Sequence, residues 1–290
     1  MDKTNYQQPQ CKKFIPEKTW YLALAVVGLI GGVILISFHL GTSSSSLLSC
    51  GRGGGGAWGT KNSGNATSLQ MEAIRHYATS RVVPQQSFAE ITLSFDVLTT
   101  TAPCNFLVFG LGHDSLMWAS LNSRGTTLFL EEDPEWVQTV LKDAPTLRAE
   151  TVKYRTQLSE ADELLRHYQQ EPDCSVKKSF LRGNEKCRLA LSMLSDKVYD
   201  TEWDLIMVDA PRGFFAKAPG RMAAIYSAAV MARNRKKPGV THVFLHDVNR
   251  KVEKQYAEKF LCKKYLVKAA GRLWHFEIPP VVTATGGDFC

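Results

Sequence analysis

Apolar and polar positions along this chain follow two different periods. Ser68–Thr79 and the segment carrying Phe88, Ile91, Phe95 and Leu98 place apolar side chains every three or four residues, the repeat of an amphipathic helix. From residue 105 onward, short apolar runs alternate with helical stretches. Asn105–Phe109 (NFLVF), Thr126–Leu130 (TTLFL), Glu150–Tyr154, Asp204–Val208 (DLIMV) and Thr241–Leu245 (THVFL) read as strands. Asp114–Leu121, Pro134–Lys142, Ser159–Tyr168, Gly220–Arg233 and Lys251–Phe260 read as helices, the second opening on a proline that suits a first helical turn. Such alternation implies an α/β domain with a mostly parallel, doubly wound sheet covered on both faces. Tyr265–Lys268 and Arg272–Ile278 are joined by Ala-Ala-Gly, too short for a crossover helix, so they form a C-terminal antiparallel hairpin.

The first 66 residues have a different character. Trp20–Leu40 carries no charged residue, and about 20 apolar residues span a bilayer core. Lys3, Lys12, Lys13 and Lys18 precede it against Asp2 and Glu17, which keeps residues 1–19 cytosolic and sends the rest across the membrane. The run is too long and begins too far in for a cleaved signal peptide, so a single-pass signal anchor is expected at 20–40. Residues 41–66 are rich in Ser and Gly and read as a flexible stem, leaving 67–290 as the lumenal domain. Six of the seven cysteines then lie in an oxidising lumen, with Cys11 cytosolic. Cys174 and Cys187 flank a short polar loop and are the pair expected to form a disulfide, while no cysteine spacing matches a zinc cluster. Asn65-Ala66-Thr67 is a glycosylation sequon, usable only in the lumen.

Composition adds one constraint. The 44% hydrophobic content supports a full core, and the net charge of +7 favours acidic partners: nucleic acid, an anionic membrane or an acidic polysaccharide. Lumenal placement argues against nucleic acid.

In doubly wound sheets, ligands bind beyond the carboxyl ends of the strands. Gly110-Leu111-Gly112-His113 follows the first strand, and such a turn lets backbone approach a ligand closely; alone, it equally describes a tight strand-to-helix turn. A carboxylate about twenty residues further on can accept hydrogen bonds from ribose hydroxyls. Glu131 is the first choice and Glu132 the second, whereas Asp133 and Glu135 suit a helix start. Asp209, after DLIMV, could hold a divalent cation, orient an acceptor hydroxyl, or simply cap its own loop. His246 and Asp247 bring an imidazole and a second acid to the same edge, so a histidine or a metal held by Asp209 and Asp247 could remove a hydroxyl proton. Arg212, Lys217, Arg221 and Arg250 lie in or beside these loops, and any of them could pair with a sugar carboxylate, Arg most readily.

The blocks CNFLVFGLGHDSLMWASLN, TTLFLEEDPEWV, WDLIMVDAPRGF and THVFLHDVNR together resemble the plant glucuronoxylan methyltransferases, over nearly the whole chain after the stem. The resemblance implies a Rossmann-like class I S-adenosylmethionine-dependent methyltransferase fold, in which a terminal hairpin inserts one antiparallel strand. It further implies a Golgi type II membrane protein that methylates the 4-hydroxyl of glucuronic acid side chains of glucuronoxylan, with a divalent metal requirement. Gly110, Gly112, His113, Glu131 and Glu132 would hold the cofactor, and Asp209, His246 and Asp247 the reaction centre. The irregular-xylem proteins of xylan biosynthesis share the fold and the anchor, so a non-catalytic Golgi protein on this fold is the alternative. A methyltransferase for another acceptor is a further one.

Overall fold

The structure, a computed structural model, describes residues 63–178, 180–281 and 289–290. The expected anchor at Trp20–Leu40 and the stem up to residue 62 lie outside them. Among the described residues no helix is long and apolar enough to cross a membrane.

The chain runs α1 (Ser63–Thr79), α2 (Phe88–Thr101), β1 (Asn105–Phe109), α3 (Ser115–Leu121), β2 (Thr126–Glu131), α4 (Pro134–Asp143), β3 (Ala149–Thr151), α5 (Ala161–Gln170), α6 (Asp196–Asp200), β4 (Leu205–Val208), α7 (Met222–Arg233), β5 (Thr241–Leu245), α8 (Lys251–Tyr256), β6 (Leu266–Ala270) and β7 (Leu273–Ile278). The seven strands form one sheet in the order β3-β2-β1-β4-β5-β7-β6. β3 through β5 are parallel, and β7 runs antiparallel between β5 and β6. The hairpin thus inserts its second strand into the sheet. This is a class I S-adenosylmethionine-dependent methyltransferase fold.

Alternate residues of each strand feed two cores. Leu107 and Phe109 of β1 join a core with α7, whereas Phe106 and Val108 join one with α2 and α3 on the other face. Burial on both faces is why NFLVF and LIMV are continuously apolar. α7 is buried nearly all round, and its alanines let it lie close against the sheet. α2 starts at a capping box in which Ser87 Oγ accepts from Glu90 N–H and Glu90 accepts from Ser87 N–H. α4 is capped by Asp133, whose carboxylate accepts from Glu135 and Trp136 N–H, with Pro134 next.

Several boundaries differ from the sequence reading, among them the first hairpin strand, which runs to Ala270 where Lys268 was expected to end it. α1 begins at Ser63, inside the span read as stem, and Asn65 falls in its first turn with its side chain outside the described residues. The third strand ends at Thr151, because only Ala149–Thr151 find pairing partners on β2. The last helix gives way to a π turn at Ala257–Leu261, closed by Cys262 at φ +73°.

Cys174 and Cys187 are joined by a disulfide, and Cys262 is joined to Cys290. The second bridge had no signal in the sequence spacing. Cys104 is a buried free thiol.

Candidate active site

The carboxyl ends of β1, β2, β4 and β5 border a cavity of about 610 Å³, within the range that holds a cofactor-sized ligand. Gly110, Gly112, His113, Glu131, Glu132, Asp209, Arg212, Arg221, Asp247 and Arg250 all line it. His246 and Lys217 do not.

Gly110 sits at φ +124°, where L side chains are disfavoured, and an added Cβ would lie 3.2 Å from the Ala210 Cβ. The loops after β1 and β4 therefore touch at a point that demands glycine. Glu131, the last residue of β2, is buried and fastens two loops: Leu111 N–H donates to Oε2 (3.0 Å), and Glu132 and Asp133 N–H donate to Oε1 (3.0 and 3.2 Å). Burial first, and the Glu132 carboxylate second, push its carboxyl up to about 7 against those N–H bonds. Glu132 accepts from Arg212 N–H through Oε1 (3.1 Å), while its Oε2 is buried without a protein partner. A buried acceptor left open on a cavity wall fits a hydroxyl donor such as a ribose. Both expected acids line the cavity; Glu131 fastens the loops, and Glu132 carries an open acceptor. Trp136 Nε1 donates to Leu111 O (2.6 Å), and the exposed His113 ring meets it edge-on at 6.4 Å.

Opposite lies a charged cluster. Asp209 accepts from His246 Nδ1 (2.8 Å) and Gln86 Nε2 (3.0 Å), with Arg221 Nη2 at 3.3 Å. A carboxylate only accepts, so Nδ1 carries the proton. Burial would raise the Asp209 carboxyl, but the His246 hydrogen bond and the Arg221 charge outweigh it and hold the group below the usual carboxylate range. His246 is buried behind Asp209, its Nε2 facing Glu90 Oε1 at 3.6 Å. It positions Asp209 and does not reach the cavity. Asp247, at φ +59°, is bound by Arg221 and Arg250 through Oδ2 (3.0 and 2.9 Å) and by Arg272 through Oδ1 (2.8 Å).

The expected metal ligands Asp209 and Asp247 meet a competing set of charges here. Donor atoms of Asp209, His246 and Asp247 do lie within 4.8 Å of one another. Yet Arg221 Nη2 stands against both carboxylates, and each of their four oxygens already meets a nitrogen donor. A divalent cation here would have to sit against a guanidinium. The cluster does not fit one.

The expected carboxylate-binding residues separate similarly. Arg221 is buried and spends its donors on Pro211 O, His246 O, Asp209 and Asp247. Lys217 is exposed away from the cavity. Arg212 and Arg250 stay on the cavity wall, Arg212 with half its side chain exposed while bridging Glu132 and Asp133. Phe214 lines the cavity beside them and is 70% exposed, in edge-to-face contact with Phe215. Gln86, Glu90, Trp136 and Arg272 were not singled out from sequence. The capping-box pattern Ser87–Glu90 was the one local signal available for any of them.

Residues 89–276 match the sequence family described as IRX15/IRX15L/GXM. The chain belongs to that family. It is 61% identical to arabinogalactan O-methyltransferase 1 of Arabidopsis thaliana over 279 residues, 94% of this chain and 96% of that one. It is 51% identical to glucuronoxylan 4-O-methyltransferase 3 of the same plant over 219 residues, 76% of this chain and 72% of that one. Protein IRREGULAR XYLEM 15 is 39% identical over 73% of this chain and 67% of that one.

Proposed function

We propose that this S-adenosylmethionine-dependent polysaccharide O-methyltransferase methylates a uronic acid hydroxyl on arabinogalactan. Support for the polymer comes from the relatives: the likeness to the arabinogalactan enzyme extends over nearly both chains, while that to the glucuronoxylan enzymes stops at about three quarters. The observation that carries the chemistry is one cavity with the open Glu132 acceptor and the glycine turn on one wall and the Asp209 carboxylate on another. Glucuronoxylan, methylated at the glucuronate 4-hydroxyl, is the second reading, favoured by the block resemblance and by relatives of about 50% identity.

When bound, S-adenosylmethionine supplies an electrophilic methyl group whose bond to sulfur breaks as the acceptor oxygen attacks. Glu132 Oε2 would take a ribose hydroxyl, and Gly110, Gly112 and His113 would border the methionine end. Asp209 accepts the proton of the attacking hydroxyl. It is a weak base, which suffices because an ether oxygen still bearing its proton is strongly acidic. His246, Gln86 and Arg221 fix its orientation. Phe214 and Phe215 offer apolar faces to sugar rings, and Arg212 and Arg250 offer charge to a uronate.

The placement proposed is a Golgi type II membrane protein, held by Trp20–Leu40 with residues 67–290 lumenal. Two disulfides suit such an oxidising compartment. Protease protection of residues 67–290 in sealed microsomes tests it. For the reaction, the full chain is given labelled S-adenosylmethionine with arabinogalactan or glucuronoxylan. Label on arabinogalactan uronate supports the first reading, and label on glucuronoxylan alone supports the second. Label on neither, with the donor bound, removes both.

A further inference from the structure

We propose that His242, His275 and Glu277 form a transition-metal site at the amino end of β5, separate from the cofactor cavity. β5 and β7 pair antiparallel with His242 opposite Glu277 and Phe244 opposite His275, so strand alternation places all four on one face. His242 Nδ1 and His275 Nε2 stand 3.0 Å apart, His242 Nδ1 and Glu277 Oε1 3.8 Å apart, and the three donor atoms all lie within 4.8 Å of one another. A tetrahedral ion with bonds of about 2.0–2.2 Å holds its ligand atoms roughly 3.3–3.5 Å apart, between those two separations. Small side-chain shifts therefore complete the geometry.

The ligands sit on firm supports. His275 is buried and its ring lies flat on Phe244, with centroids 4.5 Å apart and planes 14° apart. The two imidazoles stack at 5.2 Å and 27°. Glu277 is 43% exposed and His242 19%, which gives an ion a path in and leaves a position for water. Two cations lie nearby: Arg235 is already paired with Asp204 at 2.9 Å, and Lys268, opposite His275 on β6, is exposed to solvent, whereas Arg221 stands buried between the two acids of the cofactor edge. Two nitrogens and one oxygen select Zn²⁺, Co²⁺, Ni²⁺ or Cu²⁺ over Mg²⁺ or Ca²⁺. In the metal-free pair one ring donates its proton to the other. Binding moves that proton to the donor ring's second nitrogen, so both lone pairs meet the ion and no proton need be released. Four residues of strand, about 13 Å, separate His242 from His246. An ion here pins the antiparallel strand to the parallel sheet and takes no part in methyl transfer.

The test uses the oxidised full chain, stripped of metal, titrated with Co²⁺ alone. One ion is expected to bind, with visible ligand-field bands, no sulfur charge-transfer band, and displacement by Zn²⁺. Affinity should fall at least tenfold in Glu277→Gln, a surface change that leaves the core intact, and further in His242→Ala. Near-ultraviolet circular dichroism checks that each variant is folded. No binding by the parent at millimolar metal overturns the proposal. So does binding that both folded variants retain, or binding that Asp209→Asn abolishes while His242→Ala keeps it.

Discussion

Replacing Asp209 by Asn probes the reaction centre with the smallest change of shape. The carboxylate receives His246 Nδ1–H, Gln86 Nε2–H and the Arg221 guanidinium. In the variant the amide oxygen can keep His246, and the amide nitrogen then faces Gln86. Gln86 can turn its amide over, since its Oε1 is buried without a partner. The geometry survives, and the negative charge is what is lost. One charge-assisted hydrogen bond contributes about 1.5–3 kcal/mol, and Asp209 is only 26% exposed, so little of this is screened. For a domain of this size that lowers Tm by roughly 5–10 °C. The sign with pH follows from the direction of the shift. Folded Asp209 ionises below its unfolded value, so its contribution is complete above about pH 4 and is lost as the pH falls through the folded value. The stability gap between parent and variant should be constant near neutrality and shrink in acid. Turnover should fall about 10–10²-fold, the equivalent of one charge-assisted hydrogen bond to the attacking hydroxyl. Donor affinity by calorimetry should stay level, because Glu132 and the glycine turn are untouched. Initial rates of methyl transfer, read beside thermal unfolding, check both parts. Unchanged turnover in a destabilised variant would refute the role given to Asp209 and reduce it to a loop-fastening acid.

Gly110→Ala forces a side chain at φ +124° and 3.2 Å from Ala210 Cβ; we expect a loss of roughly 1–3 kcal/mol in thermal unfolding and weaker donor binding in calorimetry. Glu132→Gln keeps an oxygen for Arg212 N–H but replaces the open Oε2, so donor affinity should drop about tenfold with Tm nearly unchanged. Glu131→Gln is the contrasting case. The Glu131 carboxyl is raised to about 7, so ionising it costs stability progressively from about pH 4 to about 7; the variant's stability should lack that decline across pH-dependent unfolding. Phe214→Ala combined with Phe215→Ala should raise acceptor KM several-fold while leaving the donor Kd unchanged, a split that steady-state kinetics resolves.

How much of this was legible in one dimension depends on the range of each interaction. NFLVF, DLIMV and THVFL are strands because a sheet buried on both faces favours runs of apolar residues, with polar ones at the strand starts. The short Ala-Ala-Gly segment forces an antiparallel pair because only a turn fits there; in the structure its two alanines extend β6 and Gly271-Arg272 makes the turn. Those facts are local, and they were enough for the fold class and for the edge where the cavity lies. Gly110 and Glu131 were visible as types at a spacing, because a backbone turn and a strand tip are also local.

The roles of individual side chains were not local. Glu131 was read as an acceptor for ligand, and its position between two loops also gives both oxygens backbone N–H partners, which no spacing showed. Asp209 and Asp247 read as metal ligands, with His246 as a candidate base beside them, because such residues lie at neighbouring strand ends. Arg221 and Arg272 come from loops before α7 and before β7, and they bring the countercharge that leaves no place for a cation. His246 looked like a base, and burial behind Asp209 made it a support. Gln86 and Glu90 reach the site from the segment ahead of β1, which no spacing connects to β4 or β5. The sequence by itself determined the sheet, the glycine turn and the ligand edge, because these follow from neighbouring residues and backbone geometry. Only the tertiary structure decided which charges face each other, because that depends on contacts between different loops, from a dozen positions apart (Arg221 and Asp209) to more than 150 (Glu90 and His246).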